Sequence, residues 1–154
     1  MSSIRIEKVN GDASAHAWRH VHNHVIPTHH LSLDDVRERS GRNVLEVAHL
    51  DDTLIGCTTV RPPTSETPAA TVIARVLPDH RGRGYGVQLY ERALAQAREL
   101  GAEDIETVVL TSNEDGLRFA RQRGFVVIEE YVLPGETIPW VDLRLRADVP
   151  GAGE

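Results

Sequence analysis

The sequence predicts an α/β fold, and three observations carry the prediction. An apolar run, Ala69 to Leu77, leads into a glycine-rich bend, Asp79 to Gly86, and then into a helical segment, Val87 to Leu100. Upstream, Val44 to Leu50 and Leu54 to Val60 flank Asp51-Asp52 and read as a β-hairpin. The 154 residues, 40% hydrophobic and 26% charged, suit one domain with a sizeable core.

In chain order, Ser2 to Val9 alternates Ile4 and Ile6 with polar residues, as a half-buried strand does. Gly11-Asp12 breaks it, and Asp12 is expected to cap the helix that follows. Ala15, Trp18, Val21 and Val25 recur at helical spacing, and Pro27 ends that helix. Ser32 and Asp35 have the spacing of a capping box, with Leu33 and Val36 as the apolar face of a short second helix. After the hairpin, Arg61-Pro62-Pro63 to Thr67-Pro68 is a loop that cannot pair in a sheet. In the main helix, Leu89, Ala93, Leu94, Ala97 and Leu100 form the expected buried stripe, and Gly101 closes it. Asp104 to Leu110 is strand-like, Asn113 opens a short helix that ends at Gly124-Phe125, and Phe125 to Leu133 and Val141 to Leu145 read as two last strands. The expected organisation is a single domain over 1–147 and a flexible Pro/Gly-rich tail over 148–154.

Charge and composition narrow the function. A net charge of -6 argues against nucleic acid as the main partner. No apolar run reaches membrane-spanning length and no signal-peptide pattern is present, so the expected location is cytoplasmic, with no membrane partner. Cys57 is the only cysteine, so no internal disulfide forms, and it reads as a buried inert thiol. His16, His20, His22, His24, His29 and His30 crowd one segment. His20 and His24 lie four apart, but neither the H-E-x-x-H arrangement nor a nearby cysteine accompanies them, so a polar helix face is preferred and no metal is expected.

The most informative stretch is Val76-Leu77-Pro78-Asp79-His80-Arg81-Gly82-Arg83-Gly84-Tyr85-Gly86. A strand, a glycine bend and a helix start together build an anion site. The first helical turn offers amide N–H groups without intrahelical partners, and the helix dipole favours negative charge there. Arg81 and Arg83 can add charge-assisted contacts to phosphate oxygens. A Walker loop needs Gly-Lys followed by Ser or Thr, which is absent. A dinucleotide G-x-G-x-x-G counted from Gly82 and Gly84 fails at Val87. The pattern R-x-x-G-x-G is met by Arg81, Gly84 and Gly86.

That pattern, preceded by Val-x-Pro, resembles the acyl-CoA loop of the GNAT superfamily of N-acetyltransferases. The segment Asn113 to Phe125 resembles the family's second landmark, and the two stand in the expected order and separation. The resemblance is clear from about Val44 to Val127 and weak before Asn43. It implies a mixed, mostly antiparallel central sheet with splayed middle strands and helices on both faces. It further implies acetyl-CoA as acyl donor, with Val76 and Leu77 supplying main-chain groups and one amide polarising the thioester carbonyl. Arg81, Gly82, Arg83, Gly84, Tyr85 and Gly86 would hold the pyrophosphate, Asn113 would contact the cofactor arm, and Phe119 would pack on it. The acceptor is expected to be a primary amine of a small molecule, attacking directly in a ternary complex; a homodimer stays open.

The sequence departs from the family twice. Ala120 occupies the position where many members carry the tyrosine that protonates the leaving thiolate, and no carboxylate lies between Ala69 and Leu77 to act as base. Tyr131 and Glu46 are the candidate substitutes, with a packing or solvated role as the alternative for each; His49 is a further residue able to face the acceptor. Two rivals follow: an acyl-CoA-binding module with little or no catalysis, and an acetyltransferase for a protein N-terminus or lysine. A histidine-rich metal-binding protein is a remote third.

Overall fold

A computed structural model describes residues 4–146, so the expected tail over 148–154 lies outside the described residues. The chain forms two compact units that divide between Glu103 and Asp104. The first contains β1 (Ile4–Lys8), α1 (Asp12–Val25), α2 (Leu33–Arg42), β2 (Val44–Leu50), β3 (Thr53–Arg61), β4 (Ala69–Val76) and α3 (Tyr85–Glu99). The second contains β5 (Asp104–Leu110), α4 (Glu114–Gln122), β6 (Phe125–Tyr131) and β7 (Trp140–Leu145). The α/β expectation holds; α3 spans Tyr85–Glu99 rather than Val87 to Leu100, and β6 ends at Tyr131 rather than Leu133.

In the first unit β1, β2, β3 and β4 pair antiparallel in sequence order. Period-two alternation sorts their side chains onto two faces. Leu45, Val47 and Cys57 pack with Trp18 and Val21 of α1 and Val36 of α2. Ala48, Ile55 and Val76 pack with Leu89 of α3 on the other face. Trp18 fixes α1 to β3 directly, its indole Nε1–H donating to Thr58 O at 3.1 Å in the buried layer. At Gly56 any Cβ would collide with the Arg75 carbonyl oxygen of β4 and lie 3.0 Å from Leu89 Cδ1, so the bare backbone lets strand and helix close together.

The helix termini follow local chemistry. Ser32 and Asp35 do form a reciprocal capping box, Asp35 N–H to Ser32 Oγ at 3.1 Å and Ser32 N–H to Asp35 Oδ2 at 2.9 Å. Asp12 does not cap α1. Gly11 holds the N-cap position at φ 85°, and Asp12 is the first helical residue, its carboxylate taken by Arg37 at 2.7 Å. The turn is instead closed by Ser14, whose hydroxyl accepts from Asn10 N–H at 2.7 Å. The buried stripe of α3 is Leu89, Tyr90, Ala93 and Ala97; Leu94 is half-buried, and Leu100, at the C-cap, is exposed.

In the second unit β7 pairs antiparallel with both β5 and β6. Leu143, Phe125 and Ala120 are buried there, while Val126, Val127 and Ile128 on β6 are exposed. Glu106 and Arg144 join β5 to β7 by a doubly donated ion pair.

Candidate active site

The bend between β4 and α3 is built as the sequence requires. Pro78–His80 makes a single 3-10 turn, with His80 N–H donating to Leu77 O at 2.9 Å. Gly82 and Gly84 adopt φ 79° and 86°, a left-handed backbone that side-chain-bearing residues resist. Gly84 is the N-cap of α3, so the helix starts at Tyr85, two residues before Val87. No side chain caps this end and its first turn carries no acidic residue. A Cβ placed on Gly82 or Gly84 would meet nothing within 4 Å, so protein atoms do not crowd the bend. Amides pointing into open space at the positive end of a helix dipole make a cradle for an anion.

The two arginines of the bend differ. Arg81 turns back, its Nε–H donating to Val76 O at 2.9 Å, and thereby braces the bend against the strand end. Arg83 is exposed at the rim. Tyr85 packs beside Ile55, Val76 and Leu89, so it anchors the helix start. Leu77 N–H is already donated to Ile55 O at 2.8 Å. Gly56 and Val76 stand opposite each other in the register, and with Leu77 bonded across, the N–H of Val76 is turned away from β3. Of the two main-chain positions, Val76 therefore offers the outward amide and Leu77 does not.

Glu46 is engaged within the fold. It faces α3, where it is buried and its carboxylate is gripped by Arg92 Nε at 2.7 Å, Arg92 Nη2 at 3.1 Å and Gln96 Nε2 at 3.1 Å. The hydrogen bond and charge of that carboxylate hold Arg92 above its ordinary pKa. In this geometry the Glu46 carboxylate ties β2 to α3.

Asn113, Phe119 and Tyr131 belong to the second unit. Asn113 is the N-cap of α4, its Oδ1 accepting from Gly116 N–H at 3.1 Å. Gly116 is needed there, since a Cβ would stand 2.5 Å from Asn113 Nδ2 and 2.9 Å from its Cγ. Phe119 is half-buried beneath the Arg123 guanidinium, 5.6 Å from ring centroid to Cζ. Tyr131 donates its hydroxyl to Asp142 Oδ1 at 2.8 Å. Ala120 is buried, with no polar group to offer.

Cys57 is buried as expected, and burial pushes its thiol up to about 12. Among the described residues no cluster of His, Cys, Asp and Glu is arranged to hold a metal, and the His20 and His24 rings merely lie near each other at 6.1 Å. No helix of the described residues is long and apolar enough to cross a membrane.

The residues that sequence reasoning missed are His22 and Arg75. His22 is 2% exposed, stacks on Trp18 at 5.4 Å, and shares its Nε2–H with His29 O at 2.9 Å. Burial, then the positive charge of Arg75, lowers its pKa to about 3, so the ring is neutral. Arg75 stands opposite Cys57 on the α1/α2 face.

Comparison with known proteins bears on the family and the fold. One curated relative, an amino-acid acetyltransferase of Edwardsiella ictaluri (strain 93-146), is 34% identical over 99 residues, or 64% of this chain; the match spans only 22% of that relative's length. Among solved structures, yncA of Salmonella typhimurium, determined with its cofactor acetyl-CoA, superposes with TM-score 0.73 at 18% identity over 98% of each chain. A Bacillus subtilis acetyltransferase in complex with CoA gives TM-score 0.66 at 22% identity, covering 94% of this chain and 99% of that one. At such identities the two structures speak for the fold, a GNAT-like α/β sheet with helices. The Acetyltransferase (GNAT) family matches residues 12–125, a span that contains both the glycine bend and the Asn113 to Phe125 landmark; this chain belongs to that family.

Proposed function

We propose that the chain moves an acetyl group from acetyl-CoA to a primary amine of a small molecule, by direct attack in a ternary complex. The observation that carries this reading is the uncapped start of α3 behind Gly82 and Gly84, with open space above both glycines. Acetyl-CoA supplies the thioester; the chain's residues bind, orient and protonate. Amides of the first turn of α3, with Arg83, take the diphosphate, while Arg81 keeps the bend in shape through Val76 O. The outward N–H of Val76 donates to the thioester oxygen, where negative charge grows during attack. Asn113 and Phe119 serve the cofactor arm.

The C–N bond forms as the C–S bond breaks, and the electron pair of the latter leaves on sulfur. Tyr131 turns its O–H from Asp142 to that sulfur, hands over the proton and regains one from water. No carboxylate sits on β4 and Glu46 is engaged with Arg92, so the amine reacts as its free base and sheds its extra proton to water. Acetyl transfer should therefore rise about tenfold per pH unit below an amine pKa near ~10.

A second reading is favoured by one observation: the buried Ala120, which leaves α4 without an acid. On that reading the chain binds acetyl-CoA and catalyses little. Calorimetric titration with acetyl-CoA and a thiol-release assay over amines and peptides separate the two. No binding at millimolar cofactor defeats both; tight binding with no release above the blank selects the binder; release with peptides alone selects a protein-directed enzyme.

A further inference from the structure

We propose that Arg75 and Arg39 hold a carboxylate of the acceptor, so that the site takes amines of the amino-acid class in preference to the same amines without the acid group. This deepens the acyl-transfer reading and rests on it.

The argument starts with where Arg75 points. It stands opposite Cys57 in the β3–β4 register, and Cys57 lies in the layer formed with Trp18 and Val36. Arg75 therefore projects to the α1/α2 side, while α3 and its phosphate cradle rest on the other face with Val76 and Leu89. A guanidinium on this side does not serve the donor's diphosphate. It lies one residue before Val76, whose outward amide is the proposed thioester contact.

The surroundings of Arg75 are unusual for an arginine. Burial, then the charges of Arg61 and Arg39, press its pKa downward, and the only group acting the other way is the inert thiol of Cys57. No hydrogen bond or ion pair with a described residue compensates it. Arg39 on α2 is half-buried and pushed down by burial, Arg61 and Arg42. The acids on its own helix are occupied elsewhere, Asp35 in the Ser32 capping box and Glu38 with Arg42. A cation held partly out of water among like charges costs free energy unless an anion joins it.

An independent observation marks the same place. His22, buried at 2% exposure and within the field of Arg75 and Arg39, has its Nδ1 without a hydrogen-bond partner among the described residues. Its Nε2–H is committed to His29 O, so Nδ1 carries the lone pair and accepts. Two cations that donate thus act on one buried, neutral ring with an unpartnered nitrogen. An amino acid presents the matching group, a carboxylate for the guanidinium fork.

The experiment uses matched acceptors on the full chain. Thiol release is measured for amino acids and for the amines left when their carboxylate is removed, such as phenylalanine against phenethylamine and leucine against isopentylamine. At least one amino acid should exceed its partner in kcat/KM by about thirtyfold or more. In R75Q the KM of that amino acid should rise at least about tenfold, with kcat and acetyl-CoA affinity kept, and the preference should vanish. R39Q, on an accessible helix, should shift the same way and carries the test if R75Q does not fold. Equal or better use of the bare amines, or an unchanged amino-acid KM in the folded variants, overturns the proposal. If no amine is acetylated, the acyl-transfer reading fails by itself, and calorimetric titration with the free amino acids decides the site. Binding lost in the variants upholds it; no binding to the wild type sinks it.

Discussion

Arg92 of α3 grips Glu46 of β2 through two parallel hydrogen bonds, Nε to Oε1 at 2.7 Å and Nη2 to Oε2 at 3.1 Å. The carboxylate side chain is 6% exposed and the guanidinium 46%, so water already meets much of the cation's need. The pair is therefore a tie between strand and helix whose loss is felt mainly on the Glu46 side, where Gln96 also donates. We expect E46Q to lower stability by about 2 kcal/mol, the scale of a charged hydrogen bond. That corresponds to roughly 5 °C in melting temperature for a chain of this size. The pH profile of turnover should not move, and a flattened alkaline rise in E46Q would restore Glu46 as a base. Thermal denaturation and a pH–rate series check both halves.

Gly84 supports a second prediction. At φ 86° a side chain strains the backbone, yet a Cβ there would touch no protein atom. Strain and obstruction of the ligand can thus be separated. G84A should cost about 1–2 kcal/mol of stability from the left-handed backbone alone. G84V should in addition raise the acetyl-CoA Kd at least about tenfold, because its branched side chain fills the space above the first amides of α3. Calorimetry on folded G84V that returns a wild-type Kd would count against the phosphate cradle.

His22 makes stability depend on acid. Its folded pKa of about 3 lies below the ordinary 6.5, so the unfolded chain binds the proton more readily. For a lowered histidine pKa, the full stability is present above about 6.5 and drains away as pH falls from there toward about 3. Between pH 7 and pH 5 the loss should reach about 2 kcal/mol. In H22N, which keeps a polar side chain but does not titrate, that part of the decline should disappear. Melting curves of both proteins across this range test it, and parallel declines would exclude His22 as the source.

The sequence carried different parts of this architecture with different clarity. Patterns confined to one element were legible: the alternation of β1 to β4, the Ser32–Asp35 box, the Gly82 and Gly84 bend before α3. Each is a local consequence of backbone geometry. Partners distant in sequence were not. Glu46 looked available to an acceptor because nothing near it in the chain announces Arg92, 46 positions on. The same holds for Arg75, whose face follows only from its register with Cys57. A signal did exist for His22: it is four residues after Trp18 and three before Val25, on the helix face that Ala15 and Trp18 already marked as buried. Its membership in a run of histidines masked that spacing. Tyr131 shows the opposite limit, since its strand position was legible while its bond to Asp142, on the strand beside it, was not.

That bond frames the last prediction. The hydroxyl of Tyr131 donates to Asp142 Oδ1 at 2.8 Å, so it must turn its proton from Asp142 to act as an acid. If Tyr131 protonates the leaving sulfur, Y131F should lower kcat by about a hundredfold or more, the usual worth of a positioned acid, while acetyl-CoA affinity stays within about twofold. D142N retains an acceptor for the hydroxyl and should cost far less. A tyrosine that only fastens β6 to β7 would give another result: Y131F would lower the melting temperature, as loss of one hydrogen bond of about 1 kcal/mol does, and leave kcat intact. Steady-state kinetics and melting curves on the two variants therefore decide between an acid and a strut, and unchanged turnover in Y131F would leave the sulfur to be protonated by water.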